Sequence, residues 1–491
     1  PLAASPIIYL FGRLAGRAQS GVRANPARWL ALLALLATAV PLYYAGQAFV
    51  SQGPLTLAVN GISLRLDGIG LLVAAVALGL GILVTLFSTR YMANDYGQEK
   101  FYALLSAMIG AIIGLGCASD LFNLWVWFEV MAMTSYTLVA FYRDQQNSLE
   151  AGVKYVIQSA TGSALVLLGI ALVFAQSGQL DLLAIRSHLQ SASPLVLAAG
   201  ALFFVGFGVK TAIVPLHTWL PDAHSQAPSG ISAMLSGIVI EAGLVALLRS
   251  LGALGVAASS WGNLLMIFGA LNLLIGNLMA LRQSEVKRLL AYSSVSQVGY
   301  ILIGLGVAIH FNLANGAAGG FFHLINHALM KGAAFLAAGA LLYALHLAHG
   351  DHQPLLVSDL DGASRRYPVT AFALSVAVLG LGGLPPLAGF MSKWQIFVSG
   401  FEAQNAGVVV LMIFMALNSV LSLGYYAPLV NRMYRRQPSQ RVEAGAPVGV
   451  AMALPLVILT LATVVIGFWP TLLSWLTDPA ALSLLNMFTG S

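Results

Sequence analysis

Thirteen apolar stretches of about twenty residues follow one another along this chain, and nothing constrains its fold more. They run roughly 28–50, 67–89, 101–117, 120–141, 151–176, 195–219, 228–250, 262–281, 288–310, 316–346, 368–400, 407–430 and 448–469. About 20 apolar residues in a helix cross a hydrocarbon core of about 30 Å. Inside lipid the backbone must satisfy its own polar groups, so runs of this kind become helices. The runs 316–346 and 368–400 are too long for straight crossings and are expected to tilt, break or extend beyond the core. Pro6–Gly12 reads as the tail of a truncated span, and Pro1 in place of methionine agrees with a shortened N-terminus. Residues 470–491 suffice for a short interfacial piece but not for a long lateral helix. Composition supports lipid as the solvent: 59% of residues are hydrophobic and 8% charged, against about 25% charged in soluble domains. The expected fold class is an all-α polytopic membrane protein without a soluble domain.

Basic residues set the orientation. One set of alternate loops holds sixteen of the 23 Lys and Arg, among them Arg13, Arg17, Arg23, Arg28, Arg90, Lys100, Arg143, Arg282, Lys287, Arg288, Arg365, Arg366, Arg432, Arg435, Arg436 and Arg441. The other set holds only Arg65, Arg186 and Arg249. The remaining four, Lys154, Lys210, Lys331 and Lys393, fall inside spans. The asymmetry predicts a multi-pass protein of a prokaryotic-type cytoplasmic membrane, with the basic loops inside. It also makes the excess of 23 basic over 17 acidic residues a matter of topology and not a nucleic-acid footprint.

Two spans are interrupted by proline with a lysine beside the interruption. Lys210 precedes Pro215 and His217, and Lys393 follows Pro385 and Pro386. Proline removes an amide donor and clashes with the preceding turn, so each helix must kink or unwind there. Paired interruptions in two halves of a membrane protein point to an ion or substrate path. Simple kinking is the plainer reading for either segment alone, and the paired lysines argue against it.

Six ionisable groups fall within separate spans: Glu129, Lys154, Lys210, Glu241, Lys331 and Lys393. A charge at mid-bilayer costs at least about 2.5–3.5 kcal/mol and normally faces protein or water. Burial disfavours the charged form of such groups, the condition under which they exchange protons near neutral pH. His323, His327 and Lys331 recur every four residues and line one helix face, with Ser293, Ser294, Ser296, Gln297 and Asn326 able to hold water between them. A single intramembrane histidine is as readily a satisfied core residue. Six ionisable groups on six spans point to a proton relay.

Other polar residues read more plainly. Arg282, Glu285, Lys287 and Arg288 form a turn expected to be a solvated anchor, and Trp125, Trp127, Trp219 and Trp394 suit interface or packing. The histidines of 346–352, with Asp351, read as a loop accident and not as a metal site. The single Cys117 forms no cluster for iron–sulfur or zinc, and no GxxxxGK[ST] or GxGxxG stretch occurs. The chain is therefore expected to carry no cofactor or metal of its own.

The motifs KTAIVPLHTWLPDAHSQAP at 210–228, FEVMAMTSYTLVAF around Glu129, SLEAGVKYVIQSA around Lys154, EVKRLLAYSSVSQVGY at 285–300, FFHLINHALMKGAAFLAAG at 321–339 and LPPLAGFMSKW at 384–394 occur in order along nearly the whole chain. Together they resemble the antiporter-like membrane subunits of respiratory complex I (NADH-quinone oxidoreductase), group 4 membrane-bound hydrogenases and Mrp cation/proton antiporters, of the M or D type. The resemblance implies about 14 transmembrane helices, the first truncated here, and two inverted five-helix repeats each with a broken helix. It divides the chain into N-terminal helices (1–119), a first repeat (120–250), a second repeat (262–400) and C-terminal helices (407–491). It implies that Glu129 pairs with Lys210, that His323, His327 and Lys331 form a central relay, and that Lys393 ends it. Glu241 departs from the pattern, since many relatives have lysine there.

The resemblance further implies proton translocation, with Na⁺ as the alternative ion, driven by partner subunits. Those partners would be other integral membrane subunits, further antiporter-like chains among them, set in lipid. A peripheral redox arm would carry iron–sulfur clusters, flavin or a nickel–iron centre. The rival expectations are a gradient-driven Mrp-type Na⁺/H⁺ antiporter and a non-pumping structural subunit.

Overall fold

The computed structural model describes residues 1–18, 25–59 and 62–490. Arg23, counted above with the basic loops, lies outside the described residues. Helices α1 (Ala4–Ala18) and α2 (Ala27–Gln52) lead into an antiparallel hairpin of β1 (Leu55–Val59) and β2 (Ile62–Leu66), with Leu55 opposite Leu66. Then come α3 (Gly68–Tyr91), α4 (Gln98–Cys117), α5 (Leu121–Val139), α6 (Gln146–Ser177) and the short α7 (Leu182–His188). The first interrupted span is α8 (Pro194–Thr211) and α9 (Trp219–Gln226). Helices α10 (Ser229–Met234) and α11 (Ile240–Ala253) join through a π turn, Leu235–Val239. They are followed by α12 (Ala258–Ala280), α13 (Val286–Phe311) and α14 (Ala314–Leu345). The second interrupted span is α15 (Pro368–Gly382) and α16 (Ala388–Glu402), and the chain closes with α17 (Ala406–Arg435), α18 (Gln440–Ala444), α19 (Val450–Phe468) and α20 (Ser474–Thr489).

Among the described residues, eleven helical segments are long and apolar enough to cross a membrane. The other two expected spans are helical as well, as α5 and as the interrupted pair α15–α16. The protein is an all-α, multi-pass membrane protein. Its helices are sorted by burial: the apolar window of α14 is 94% buried and that of α10–α11 100%, against 11% for α2 and 28% for α17. The two central segments are the ones that carry Glu241, His323, His327 and Lys331. The long run 316–346 is accommodated as one continuous helix, while 368–400 breaks.

Small residues set the close approaches. Gly262, Gly269 and Gly276 on α12 recur every seven residues against Gly299 and Gly306 on α13. A Cβ on Gly262 would stand 2.7 Å from the Gly306 carbonyl oxygen, and one on Gly269 would stand 2.9 Å from that of Gly299. Without side chains the two backbones touch, as small-residue stripes permit in membranes. This contact brings the amide of Asn272 on α12 to the backbone of Val295 on α13, 3.2 Å from its carbonyl.

The loops collect on two faces. On the face rich in arginine, Arg28 reaches the Thr89 carbonyl, Arg432 pairs with Asp361 and Arg441 reaches His346. On the opposite face lies Arg186, which donates to the carbonyls of Phe488 and Thr489. Arg249 corrects an expectation. Read as a loop residue, it is 2% exposed in the last turns of α11 and forks onto Asp67 at 3.0 and 2.8 Å, with a further bond of 2.5 Å to the Gly116 carbonyl. Sequence separation hides such a pair, since Asp67 and Arg249 are 182 positions apart. The C-terminal piece is the 16-residue α20, which packs across the ends of α3, α11 and α14 on this same face.

Candidate functional site

Both interruptions sit where proline withholds a donor. At the second, Pro385 and Pro386 would have served the carbonyls of Leu381 and Gly382 in an unbroken helix. Gly383 ends α15 in the left-handed region at φ 82°, which glycine adopts without strain. The freed Leu381 carbonyl accepts from Lys393 Nζ at 2.8 Å and Gln297 Nε2 at 3.0 Å, and that of Gly382 accepts from Ser419 Oγ at 3.0 Å. Lys393 Nζ also meets Ser419 Oγ at 3.0 Å and lies 4.2 Å from the centre of the Tyr300 ring.

At the first interruption Ala212 takes φ 59°, an uncommon conformation for a residue with a Cβ. Asn272 holds the unwound segment: its Oδ1 accepts from Val214 N at 2.8 Å and its Nδ2 donates to Ala212 O at 3.1 Å. The Val214–Pro215 and Pro385–Pro386 peptide bonds are both cis. Trp219 proves to be a packing residue, stacked on Tyr155 at 3.8 Å with its indole donating to Val209 O at 2.7 Å. Trp394 is 54% exposed.

Lys210 lies at the end of α8, 1% exposed. Its ammonium donates to Tyr155 OH at 2.7 Å and Ser135 Oγ at 3.1 Å and lies 4.5 Å from the Tyr155 ring centre. No ion pair joins it to Glu129, whose Oε1 has no hydrogen-bond partner within the chain. The expected direct pairing is thus not formed in this conformation, because the two hydroxyls of α5 and α6 take the ammonium instead. Gly243 allows α11 to pass close by, since a Cβ there would stand 3.0 Å from that of Lys210.

The central helix α14 sends three buried groups to three neighbours. His323 meets Ser392 Oγ through Nδ1 at 2.9 Å and Gln297 Oε1 through Nε2 at 3.1 Å. His327 Nδ1 meets Glu241 Oε1 at 2.6 Å, both side chains at most 1% exposed. The free Oε2 of Glu241 and Nε2 of His327 have no further partner within the chain. Lys331 Nζ donates to the Leu290 carbonyl at 2.7 Å and to Ser293 Oγ. The three lysines 210, 331 and 393 are therefore held by hydroxyls and carbonyls and not by acids, while the acid at 241 is held by a histidine. Each of these partners is neutral or itself titratable. The π turn 235–239 lies directly before Glu241, a frequent placement at functional sites.

Lys154 is not deep in the bundle. Two turns into α6, its side chain is 47% exposed and pairs with Glu150 at 2.8 Å and Asp222 at 2.9 Å. Asp222 also takes Arg288 at 2.6 Å. These residues, with Glu285 and Lys287, line a cavity of about 630 Å³ on the arginine-rich face. The turn expected to be a solvated anchor is therefore largely structural: Lys287, 3% exposed, donates to the carbonyls of Ser225 and Ala227, and Glu285 accepts from Ser225 Oγ at 2.7 Å. Next to it sequence reasoning overlooked His224, fully buried with neither ring nitrogen partnered within the chain and stacked on Phe335 at 4.5 Å. His217 is 9% exposed beside the first break, with its Nδ1 unpartnered. Among the described residues no group of three or more His, Cys, Asp or Glu could hold a metal ion.

At the cavity, partial burial raises the Asp222 pKa, but the hydrogen bonds from Lys154 and Arg288 outweigh it and hold the carboxyl below the usual range. The stability this contributes is present above about pH 3.9 and is lost as pH falls through the folded-state pKa. Asp222→Asn is therefore expected to flatten the acid limb of stability. The thermal midpoint of the solubilised protein should fall less steeply below about pH 4 than that of the wild type, and parallel curves would refute the assignment.

Residues 118–422 match the family described as "NADH:quinone oxidoreductase/Mrp antiporter, TM", and residues 57–102 match "NADH-Ubiquinone oxidoreductase (complex I), chain 5 N-terminus". The chain is 33% identical over 418 residues to F(420)H(2) dehydrogenase subunit N of Methanosarcina mazei, covering 83% of this chain and 82% of the relative. It is 30% identical to Hydrogenase-4 component B of Escherichia coli K12, over 99% of this chain and 74% of that protein. A subunit of the archaeal membrane-bound sulfane sulfur reductase, a respiratory membrane complex, superposes with a TM-score of 0.88 at 26% identity, covering 100% of this chain and 98% of that one. Broken helices, buried lysines and sequence similarity along nearly the whole length converge, and the chain belongs to the NADH:quinone oxidoreductase/Mrp antiporter family of antiporter-like membrane subunits.

Proposed function

We propose that this chain translocates protons as one subunit of a redox-driven, multi-subunit respiratory or hydrogenase-type membrane complex. The observation that carries the reading is the set of three buried lysines at or between two broken helices, none ion-paired, in a bundle that also buries the Glu241–His327 pair. The relatives, a dehydrogenase subunit, a hydrogenase component and a subunit of a respiratory complex, favour a redox drive over a gradient-driven antiporter. The drive comes from partner subunits, since neither cysteine clusters nor nucleotide motifs occur in this sequence.

In this reading the arginine-rich face is cytoplasmic, and the cavity at Asp222 and Lys154 is the mouth through which protons approach Lys210. Glu129 gates that step by drawing the Lys210 ammonium away from Ser135 and Tyr155. Glu241, His327, Lys331 and His323 carry the proton laterally, and Lys393 passes it to the opposite face. Residues 120–250 and 262–400 act as two repeats, each contributing one broken helix, flanked by 1–119 and 407–491. His217 and the three prolines 215, 385 and 386 support the half channels by keeping the helices unwound.

Glu241→Gln tests the lateral step. The amide keeps the shape and one hydrogen bond to His327 but cannot exchange a proton. Proton translocation in membrane vesicles should drop at least tenfold, in line with the 10²–10⁴-fold contribution usual for a positioned acid–base group, with the complex still assembled. Wild-type translocation in this variant would remove Glu241 from the path.

A further inference from the structure

We infer that the Ser392 hydroxyl is a rotor through which His323 takes up and releases a proton, while Gln297 fixes which ring nitrogen does so. The inference rests on the relay reading above. It begins at Pro385, which leaves the Leu381 carbonyl without its helical donor. Lys393 and Gln297 Nε2 occupy that oxygen. A carbonyl only accepts, so the amide nitrogen of Gln297 must face Leu381 and its Oε1 must face His323, 3.1 Å from Nε2. An amide oxygen also only accepts. Nε2 of His323 therefore carries a hydrogen in both charge states, and the exchangeable position is Nδ1.

Nδ1 faces Ser392 Oγ at 2.9 Å. That hydroxyl has one hydrogen and three acceptors within reach: Nδ1, the Ala388 carbonyl at 3.2 Å and the Gly389 carbonyl at 3.2 Å. With His323 neutral, the hydroxyl hydrogen points to Nδ1. When a protonated water of the relay gives a proton to Oγ, the hydroxyl passes its own hydrogen to Nδ1, the new N–H donates to Oγ, and the hydrogen that Oγ has gained turns to Ala388 or Gly389. Release reverses these moves. At Oγ one O–H bond breaks and one forms while the Nδ1–H bond is made, and His323 and Ser392 keep hydrogen-bond partners throughout.

The turn has a consequence for the second broken helix. Ala388 and Gly389 open α16, the half-helix that carries Ser392 and Lys393. A serine that bonds back to the carbonyls three and four residues earlier bends a helix slightly. In this chain that back-bond forms when His323 is charged and is given up when it is neutral. The charge on His323 is thereby signalled to the segment that positions Lys393, and Ser392 acts as a positioning residue between them.

Three variants of the native complex, assayed in everted membrane vesicles with a pH-sensitive dye and checked for membrane level by immunoblot, test this. His323→Ala should abolish proton translocation. Ser392→Ala, which leaves Nδ1 without a partner, should lower it about tenfold, the usual scale for one orphaned buried polar atom. Ser392→Thr restores the hydroxyl and should recover most of the activity. Full activity in Ser392→Ala alongside a dead His323→Ala would overturn the rotor and leave the relay standing. Full activity in His323→Ala would overturn both, and equal loss in Ser392→Ala and Ser392→Thr would show that Ser392 serves packing alone.

Discussion

Replacing Lys210 with methionine is expected to reduce proton translocation by about 100-fold or more while the complex still assembles. Methionine matches the lysine stem in length and packs against the same neighbours, including Gly243, where a Cβ would stand 3.0 Å from that of Lys210. What it lacks is the exchangeable ammonium hydrogens. Tyr155 and Ser135 remain paired with each other at 3.0 Å when the lysine is gone, so no buried hydroxyl is stranded. The variant therefore separates proton transfer from folding. Vesicles with normal amounts of assembled complex and no dye response are the expected result. Normal translocation would remove Lys210 from the route.

The second large effect concerns the fold that holds the route. Arg249 and Asp67 form a buried pair with side chains 3% and 8% exposed. Asp67 Oδ1 also caps α3 by accepting from Gly70 N at 2.8 Å. Arg249→Met leaves a carboxylate buried without its counter-ion, and breaking such a pair typically costs about 3–5 kcal/mol, a factor above roughly 100 in the folding equilibrium. Accumulation of the subunit and its thermal midpoint in detergent should both fall sharply. The double variant Arg249→Met with Asp67→Asn should recover a good part of the loss, because no unpaired charge remains. Unchanged stability of the single variant would show that the pair is not needed.

The spans were legible because lipid demands long apolar helices, and each expected span is helical, with 195–219 and 368–400 interrupted. Both breaks were legible from proline with a lysine beside it, whereas Pro41, Pro428 and Pro455 lie inside continuous helices, and Lys210, Lys331 and Lys393 stood out as charges in apolar runs. What surrounds them was not legible. Tyr155 and Ser135 at Lys210, Asn272 at the first break and Gln297 at the second are brought in by tertiary contacts across 26 to 84 positions, and periodicity carries no information at that range. The same holds for Arg249, which resembles a loop anchor until Asp67 is placed opposite it. Lys154 illustrates the converse. Hydropathy put it within a span, but its nearness to the start of α6 lets it reach the surface and pair with Glu150 and Asp222. Glu241 was visible in the sequence as an acid within a span, and its pairing with His327 was not.

The most direct test of the proposed proton route is to reconstitute the native complex in liposomes with an entrapped pH indicator and start turnover in sodium-free buffer. Proton translocation predicts a change in internal pH that a protonophore abolishes and that needs no added Na⁺. Turnover without a pH change, or a pH change that appears only when Na⁺ is supplied, would contradict it.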